Sequence, residues 1–390
     1  MINIELFLWI LSISTLGAWL YLLLFRSSFW LSNQRLENFS PDLQDTFSRP
    51  SIIVLIPARN EEDVISTCIG SLLKQDYQGE LSIILIDDAS NDATVKVAQC
   101  AAAKFEQGDK VQIISGKQLP RGWAGKVWAL QQGMSSASKI QAKYYLLSDA
   151  DVYHDKSNLT RLVSKAEKDK LDLVSLMVKL ECSSIWDHLL IPAFILFFQK
   201  LFPFERVNDP SSPVAAAAGG CMLVRRTAMY KIGEFTSIKS AIIDDCALAR
   251  KLKDNGPIWL GLSKTTRSIR AYCKLTEIWR MVTRSAYTQL SYSLVFLLGA
   301  IMGMAIVYMA PPLVICIALF HDLTLPLLFS GCAWGIMVYI YRPTLKLYDV
   351  KTIYGILLPV TGLIYLLMTI DSARRFYFNK GGEWKGRFYN

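Results

Sequence analysis

Four stretches of this chain stay apolar for about the length needed to cross a bilayer, and much of the rest alternates short β-branched runs with segments of helical period. The first, Ile4 to Phe25, holds a single charge, Glu5, and at 1.5 Å per residue it is long enough for a hydrocarbon core of about 30 Å. Basic residues Arg26 and Arg35 follow this run, the reverse of a cleaved signal peptide. The pattern predicts a retained anchor over 1–26 with its C-terminal flank in the cytoplasm. Three further span candidates, Leu294 to Phe320, Leu323 to Tyr341 and Thr352 to Ile370, fall within 290–371. The pair Pro311-Pro312 is expected to mark a turn or kink between the first two. Arg342, Lys346 and Lys351 precede the last run, and a basic tail over 372–390 follows it with Arg374, Arg375, Lys380, Lys385 and Arg387. Both flanks therefore read as cytoplasmic, so either the last run is re-entrant or the charge rule fails at the tail.

Between these runs, residues 50–285 read as a layered α/β domain. Ser51 to Ile56, Leu81 to Ile86, Val111 to Ser115, Tyr144 to Ser148 and Leu173 to Leu176 are compact apolar runs, the length of strands buried on both faces. Glu61 to Lys74, Asp92 to Lys104, Lys126 to Ser138 and Ser157 to Asp169 carry apolar positions at three- and four-residue spacing. Alternation of this kind predicts a mostly parallel sheet with right-handed crossovers and a ligand crevice at the strand C-terminal ends. The aromatic-rich stretch 185–204, broken by Asp187, His188, Pro192 and Lys200, is expected to form an interfacial helix.

Composition narrows the class. With 390 residues, 52% hydrophobic and 19% charged, and a mean hydropathy of +0.28, the chain is neither disordered nor an ordinary soluble enzyme. Forty-two Lys and Arg against 33 Asp and Glu leave +9, which suits an anionic leaflet or a phosphate-bearing ligand as well as nucleic acid. Eight cysteines include no C-x-x-C pair, and the three histidines are not spaced as H-x-x-x-H. Any metal chemistry therefore falls to carboxylates.

Such carboxylates follow successive strands. Pro57-Ala58-Arg59-Asn60-Glu61-Glu62 ends the first strand, Asp87-Asp88-Ala89-Ser90-Asn91-Asp92 the second, and Asp149-Ala150-Asp151 the fourth, while Gly122-Trp123-Ala124-Gly125-Lys126 opens a helix. Two carboxylates at i and i+2 can converge on one hard divalent cation, Mg²⁺ or Mn²⁺, which in turn bridges phosphate oxygens. One Asp-x-Asp alone is well explained as a solvated turn; four polar loops on one sheet edge are not. In combination these motifs resemble the family 2 glycosyltransferases, inverting enzymes with a Rossmann-like nucleotide-sugar-binding fold called GT-A.

The resemblance implies a role for each matching position. Pro57 and Glu61 with Asp88 would hold the donor nucleoside, Asp149 and Asp151 the metal-bound diphosphate, and Lys126 would lie near the donor phosphates. Gly220, in Gly219-Gly220-Cys221, would lie beside the transferred sugar. Asp244 would contribute to donor binding, and Asp245 would be the general base that inversion requires. Where many membrane-bound members carry Q/R-x-x-R-W, this chain reads Met281-Val282-Thr283-Arg284-Ser285. Arg284 would clamp diphosphate, with Arg280 the competing candidate. Loss of the Trp weakens the alternative of a processive polysaccharide synthase. Within the family, the anchor, the G-W-A-G-K loop and the C-terminal spans look most like hopanoid-associated glycosyltransferases and, more distantly, ceramide glucosyltransferases. This implies a nucleotide diphosphate sugar donor, UDP-sugar favoured, a membrane lipid acceptor, a catalytic domain on the cytoplasmic face of the cell membrane, and no nucleic acid partner. A membrane-tethered receiver-like module, which would also gather acids around Mg²⁺, leaves Asp-x-Asp and Asp244-Asp245 without a role.

Overall fold

In the computed structural model, which describes residues 4–39, 49–105, 108–378, 383–384 and 387–388, the chain divides into two compact units. One comprises 33–181, 204–271 and 383–390, and the other 1–32, 182–203 and 272–382. Lys380 and Lys385 of the expected basic tail lie outside the described residues.

The first unit is built on eight strands. They are β1 (Ile52–Ala58), β2 (Leu81–Asp87), β3 (Val111–Ser115), β4 (Tyr144–Ser148), β5 (Val152–Tyr153), β6 (Leu173–Lys179), β7 (Cys221–Arg225) and β8 (Ile258–Ser268). They lie in the order β3-β2-β1-β4-β7-β6-β8-β5. The half from β3 to β4 is parallel throughout, and β6 runs parallel to β8. All seven residues of β1 are buried, as expected of a strand covered on both faces. The intervening helices Ile65–Leu73, Thr94–Ala103 and Asn158–Lys168 fall inside the ranges their periodicity predicted, while Gly125–Ser136 starts one residue ahead of the range that opened at Lys126.

The sequence reading did not anticipate how β7 enters. It lies antiparallel to both β4 and β6, with Ser148 opposite Cys221. Reversal puts the residues just before β7 at the same sheet edge as the end of β4. The ends of β1, β2 and β4 and the start of β7 thus share one rim, the crevice position of an open α/β sheet. At β8, Glu37 fastens the chain entering the unit. One of its oxygens accepts from Ser263 Oγ at 2.6 Å, Lys264 N at 2.8 Å and Thr265 N at 3.2 Å. Burial works to raise the Glu37 pKa, but the Ser263 hydroxyl and these backbone donors hold it below the usual carboxylate value.

The second unit is helical. Four of its helical segments are long and apolar enough to cross a membrane: Ile4–Leu24, Leu294–Phe320, Thr324–Leu347 and Thr352–Tyr377. The Pro pair does not separate the second from the third. Pro311 and Pro312 stand at the start of helix Ala310–Phe320, directly after a π-helical turn over Ala305–Met309. The break itself falls at His321 to Leu323, where Asp322 adopts φ 52°. Trp19 Nε1 donates to the Val307 carbonyl within the π turn at 2.8 Å, giving the irregular turn a side-chain partner. The stretch expected at 185–204 forms helix Ile185–Leu201, opened by a capping box between Ser184 and Asp187, and it belongs to this helical unit.

Candidate active site

The loops after β1 and β2 are laced together before any ligand is considered. Asn60 N–H donates to Ser90 Oγ at 3.0 Å, and Asn91 N–H returns a bond to Asn60 Oδ1 at 2.9 Å. Glu61 N–H donates to Thr94 Oγ1 at 2.7 Å, and Ala93 N–H to Glu62 Oε2 at 2.8 Å. Asn60 and Ala89 both adopt left-handed backbone, φ 53° and 54°. For Asn that conformation is tolerated, whereas for Ala it stores strain that the surrounding bonds must hold. Beneath these loops Asp88 is buried, 3.9 Å from Arg59.

A narrow cleft brings together Pro57, Lys126, Asp149, Gly219, Asp244 and Asp245, from five separate segments of the chain. Lys126, from the first turn of helix Gly125–Ser136, reaches Asp149 Oδ1 at 2.7 Å and Asp244 Oδ2 at 3.6 Å. Burial works against its charge, yet Asp149 and Asp244 hold its pKa above the ordinary lysine value. Asp245 lies in the first turn of helix Asp244–Lys253. Gly219 N–H donates to its Oδ2 at 2.8 Å and Cys246 N–H to its Oδ1 at 2.7 Å. Burial, reinforced by the neighbouring Asp244 charge, lifts the Asp245 pKa to about 6, against the opposing pull of Lys126 and the two backbone donors. A carboxylate poised there is suited to accept a proton near neutral pH.

Glycine at 219 permits a close approach. A Cβ there would lie 3.1 Å from Lys126 Nζ and 3.3 Å from Asp245 Oδ2. Its neighbour Gly220, the residue expected beside the sugar, is not among the cleft-lining residues. A Cβ on Gly220 would meet Val178 at 3.0 Å, and its carbonyl accepts from Asp149 N–H at 3.2 Å. Gly220 therefore supports the Asp149 loop through its backbone, and the glycine at the cleft is its predecessor.

Glu61 and Asp151 meet elsewhere, at a residue the sequence reading missed. Arg270, two residues past β8, donates through its terminal nitrogen to Glu61 Oε2 and through Nε to Asp151 Oδ2 at 3.0 Å. Ser268 Oγ donates to the same Asp151 oxygen at 3.1 Å. Glu61 is 8% exposed. Burial alone would weaken the Arg270 charge, and the flanking Glu61 and Asp151 more than restore it. No motif signalled Arg270, because a lone arginine after a strand carries no spacing pattern. His154, fully buried between Ser148 and Asn158, is kept neutral by burial, its pKa lowered to about 3. It braces the segment behind the Asp-x-Asp. Arg280 and Arg284 belong to the helical unit, exposed on and just after helix Leu275–Thr283.

Among the described residues no three His, Cys, Asp or Glu side chains converge as a preformed metal cage. Mg²⁺ and Mn²⁺ do not need one, since they commonly bind through one or two carboxylates and complete their shell with substrate phosphate and water. Asp149, with its side chain 37% exposed, and Asp151, two residues on, fit that mode.

Residues 53–233 match the family model described as glycosyl transferase family 2, and the α/β unit that contains them has the GT-A fold. The chain is similar to an N-acetylglucosaminyltransferase of Rhizobium leguminosarum bv. viciae, 44% identical over 54 residues, which cover 14% of this chain and 13% of that protein. It is also similar to the 4,4'-diaponeurosporenoate glycosyltransferase of Staphylococcus aureus (strain bovine RF122 / ET3-1), 34% identical over 106 residues, 27% of this chain and 25% of the other. The match thus spans a quarter or less of these curated relatives. Among solved structures, the mannosyltransferase PcManGT from Pyrobaculum calidifontis, in complex with GDP-Man and Mn²⁺, superposes with a TM-score of 0.55 at 15% identity. The alignment covers 95% of this chain and 99% of that one. The shared architecture is the GT-A fold.

Proposed function

We propose that this protein is a membrane-bound, inverting, metal-dependent glycosyltransferase that moves a single sugar from a nucleotide diphosphate sugar, a UDP-sugar by preference, to a hydroxyl of a membrane lipid. The observation that carries the reading is the meeting of Asp245, Lys126 and Asp149 in one cleft of a family 2 domain. Asp245, with its pKa at about 6, is the base that removes the acceptor hydroxyl proton as that oxygen attacks the anomeric carbon. Its two backbone hydrogen bonds fix the carboxylate, leaving the second lone pair of each oxygen for the incoming proton. Lys126 presents a positive charge that can exchange Asp149 and Asp244 for donor phosphate. Glu61 and Asp88 accept hydrogen bonds from the nucleoside, with Pro57 against the donor. Asp149 and Asp151 would hold Mg²⁺ or Mn²⁺, which when bound offsets the charge that grows on the departing diphosphate.

The lipid acceptor is supported by four helices of spanning length in the same chain and by the relative named for 4,4'-diaponeurosporenoate. A hopanoid or sphingolipid-like alcohol fits this class, with catalysis on the cytoplasmic face. The test is an assay of detergent-solubilised protein, scanning UDP- and GDP-sugars with and without Mn²⁺, using a lipid extract or soluble sugars as acceptor. Metal-dependent release of nucleoside diphosphate that lipid stimulates is the expected result. Transfer to soluble sugars alone would end the lipid reading, and silence with every donor would end the transferase reading.

A further inference from the structure

A guanidinium is a rigid planar fork, so an arginine that grips two carboxylates fixes them relative to each other. Arg270 does this between two loops with different tasks. Glu61 follows β1, and Asp151 follows β4. The arginine is itself tied down: its N–H donates to Ser268 Oγ at 3.3 Å, the same hydroxyl that holds Asp151 Oδ2, and Ile269 N–H donates to the Asp151 carbonyl at 2.8 Å. Asp151 Oδ2 therefore takes two donors, one from the last residue of β8 and one from two residues past it, which turns its other oxygen into the one better able to serve a cation.

We propose that Arg270 is a positioning residue that couples the nucleoside loop to the metal loop, orienting Asp151 through a guanidinium whose own direction is set by Glu61. The proposal rests on the reading of Asp149 and Asp151 as metal ligands. Two consequences follow from a shared fork. If Glu61 is neutralised, Arg270 loses one anchor and leans wholly on Asp151, so metal affinity falls although Glu61 is not a ligand. If Arg270 is already gone, the change at Glu61 has no route to the metal. Partners that orient a metal ligand typically alter metal affinity by about 10–100-fold when removed.

The experiment is a double-mutant cycle read by Mn²⁺ binding, using electron paramagnetic resonance on full-length protein in detergent at a fixed concentration of UDP. Wild type, Glu61→Gln, Arg270→Gln and the double variant are compared. Arg270→Lys serves as a second variant that keeps the charge and removes the fork, should Arg270→Gln fold poorly. The expected result is that Glu61→Gln and Arg270→Gln each weaken Mn²⁺ binding by about tenfold, that the double variant is no weaker than Arg270→Gln, and that Arg270→Lys resembles Arg270→Gln. Effects that multiply in the double variant would overturn the proposal while leaving the metal reading intact. Wild-type affinity in Arg270→Lys would overturn the fork in favour of plain charge. Absence of Mn²⁺ binding in the wild type would overturn both the metal reading and the proposal.

Discussion

Replacing Asp245 by Asn separates chemistry from structure in this site with unusual clarity, because its structural effects oppose each other. Both carboxylate oxygens accept a backbone N–H, from Gly219 at 2.8 Å and from Cys246 at 2.7 Å. An Asn can offer a carbonyl to only one of these donors and must turn its own N–H₂ toward the other, which leaves a donor unsatisfied at a cost of about 1–3 kcal/mol. Against that, the carboxyl is lifted from 3.8 to about 6, so keeping it ionised at pH 7 costs about 3 kcal/mol, a term that a neutral amide removes. The two roughly cancel, and thermal unfolding of Asp245→Asn should shift by only a few degrees. Catalysis has no such compensation. An amide cannot take the acceptor proton, and loss of a positioned base costs about 10²- to 10⁴-fold, equivalent to about 3–5 kcal/mol of barrier. The assay is lipid glycosylation at saturating donor, with Tm and nucleotide binding measured on the same preparation. Turnover within about threefold of wild type would refute the base assignment, and a large drop in Tm would refute the cancellation.

The pH profile of kcat/KM should rise through about 6 as Asp245 ionises. Because its folded pKa lies above the ordinary value, the stability it contributes is full below about 4 and is lost as pH rises through 6, so activity and stability move oppositely across that window. Lys126→Met removes the cation that pulls Asp245 down, and should move the acid limb of that profile upward by roughly a unit or more while raising donor KM. A chelator such as EDTA should abolish transfer and Mn²⁺ should restore it, with Asp151→Ala needing more metal for the same rate; full activity in chelator would contradict the metal role. Glu37→Ala should lower stability by about 2 kcal/mol, since Ser263, Lys264 and Thr265 lose one shared acceptor. Because the Glu37 pKa is held below its usual value, the wild-type contribution is present above about pH 4.5 and is lost as acid protonates it; urea titrations at pH 7 and pH 4 measure both.

What the sequence made legible, and what it hid, divides along the physics of the two kinds of signal. Strands buried on both faces must be apolar throughout, so Tyr144–Ser148 could be read to the residue; Val111–Ser115 matched its expected bounds although it is an edge strand with no buried residue. Loops at the ends of parallel strands must then share a rim, so the acids of three of them could be expected together. Antiparallel entry is invisible to periodicity, since burial is the same whichever way a strand runs. This is why β7 could not be oriented from sequence, while Gly220 was placed beside the sugar by the family resemblance alone. β8 was missed altogether, because its second half alternates between exposed and buried and it ends in the charged run that contains Arg267 and Arg270.

Arg270 illustrates the deeper limit. A motif records residues whose spacing along the chain is fixed by one local geometry, as in Asp149-Ala150-Asp151. Arg270 acts across 209 positions on Glu61 and 119 on Asp151, and such a partnership leaves no spacing to recognise. Its existence can nevertheless be argued backward from charge. Four acids, Glu61, Asp149, Asp151 and Asp244, are drawn toward one end of a sheet, and carboxylates at that density repel one another unless cations are folded in with them. Lys126 was visible because a motif carried it, and it neutralises Asp149 and Asp244. Glu61 and Asp151 then demand a second cation from somewhere in the same domain, and Arg270, just past β8, supplies it.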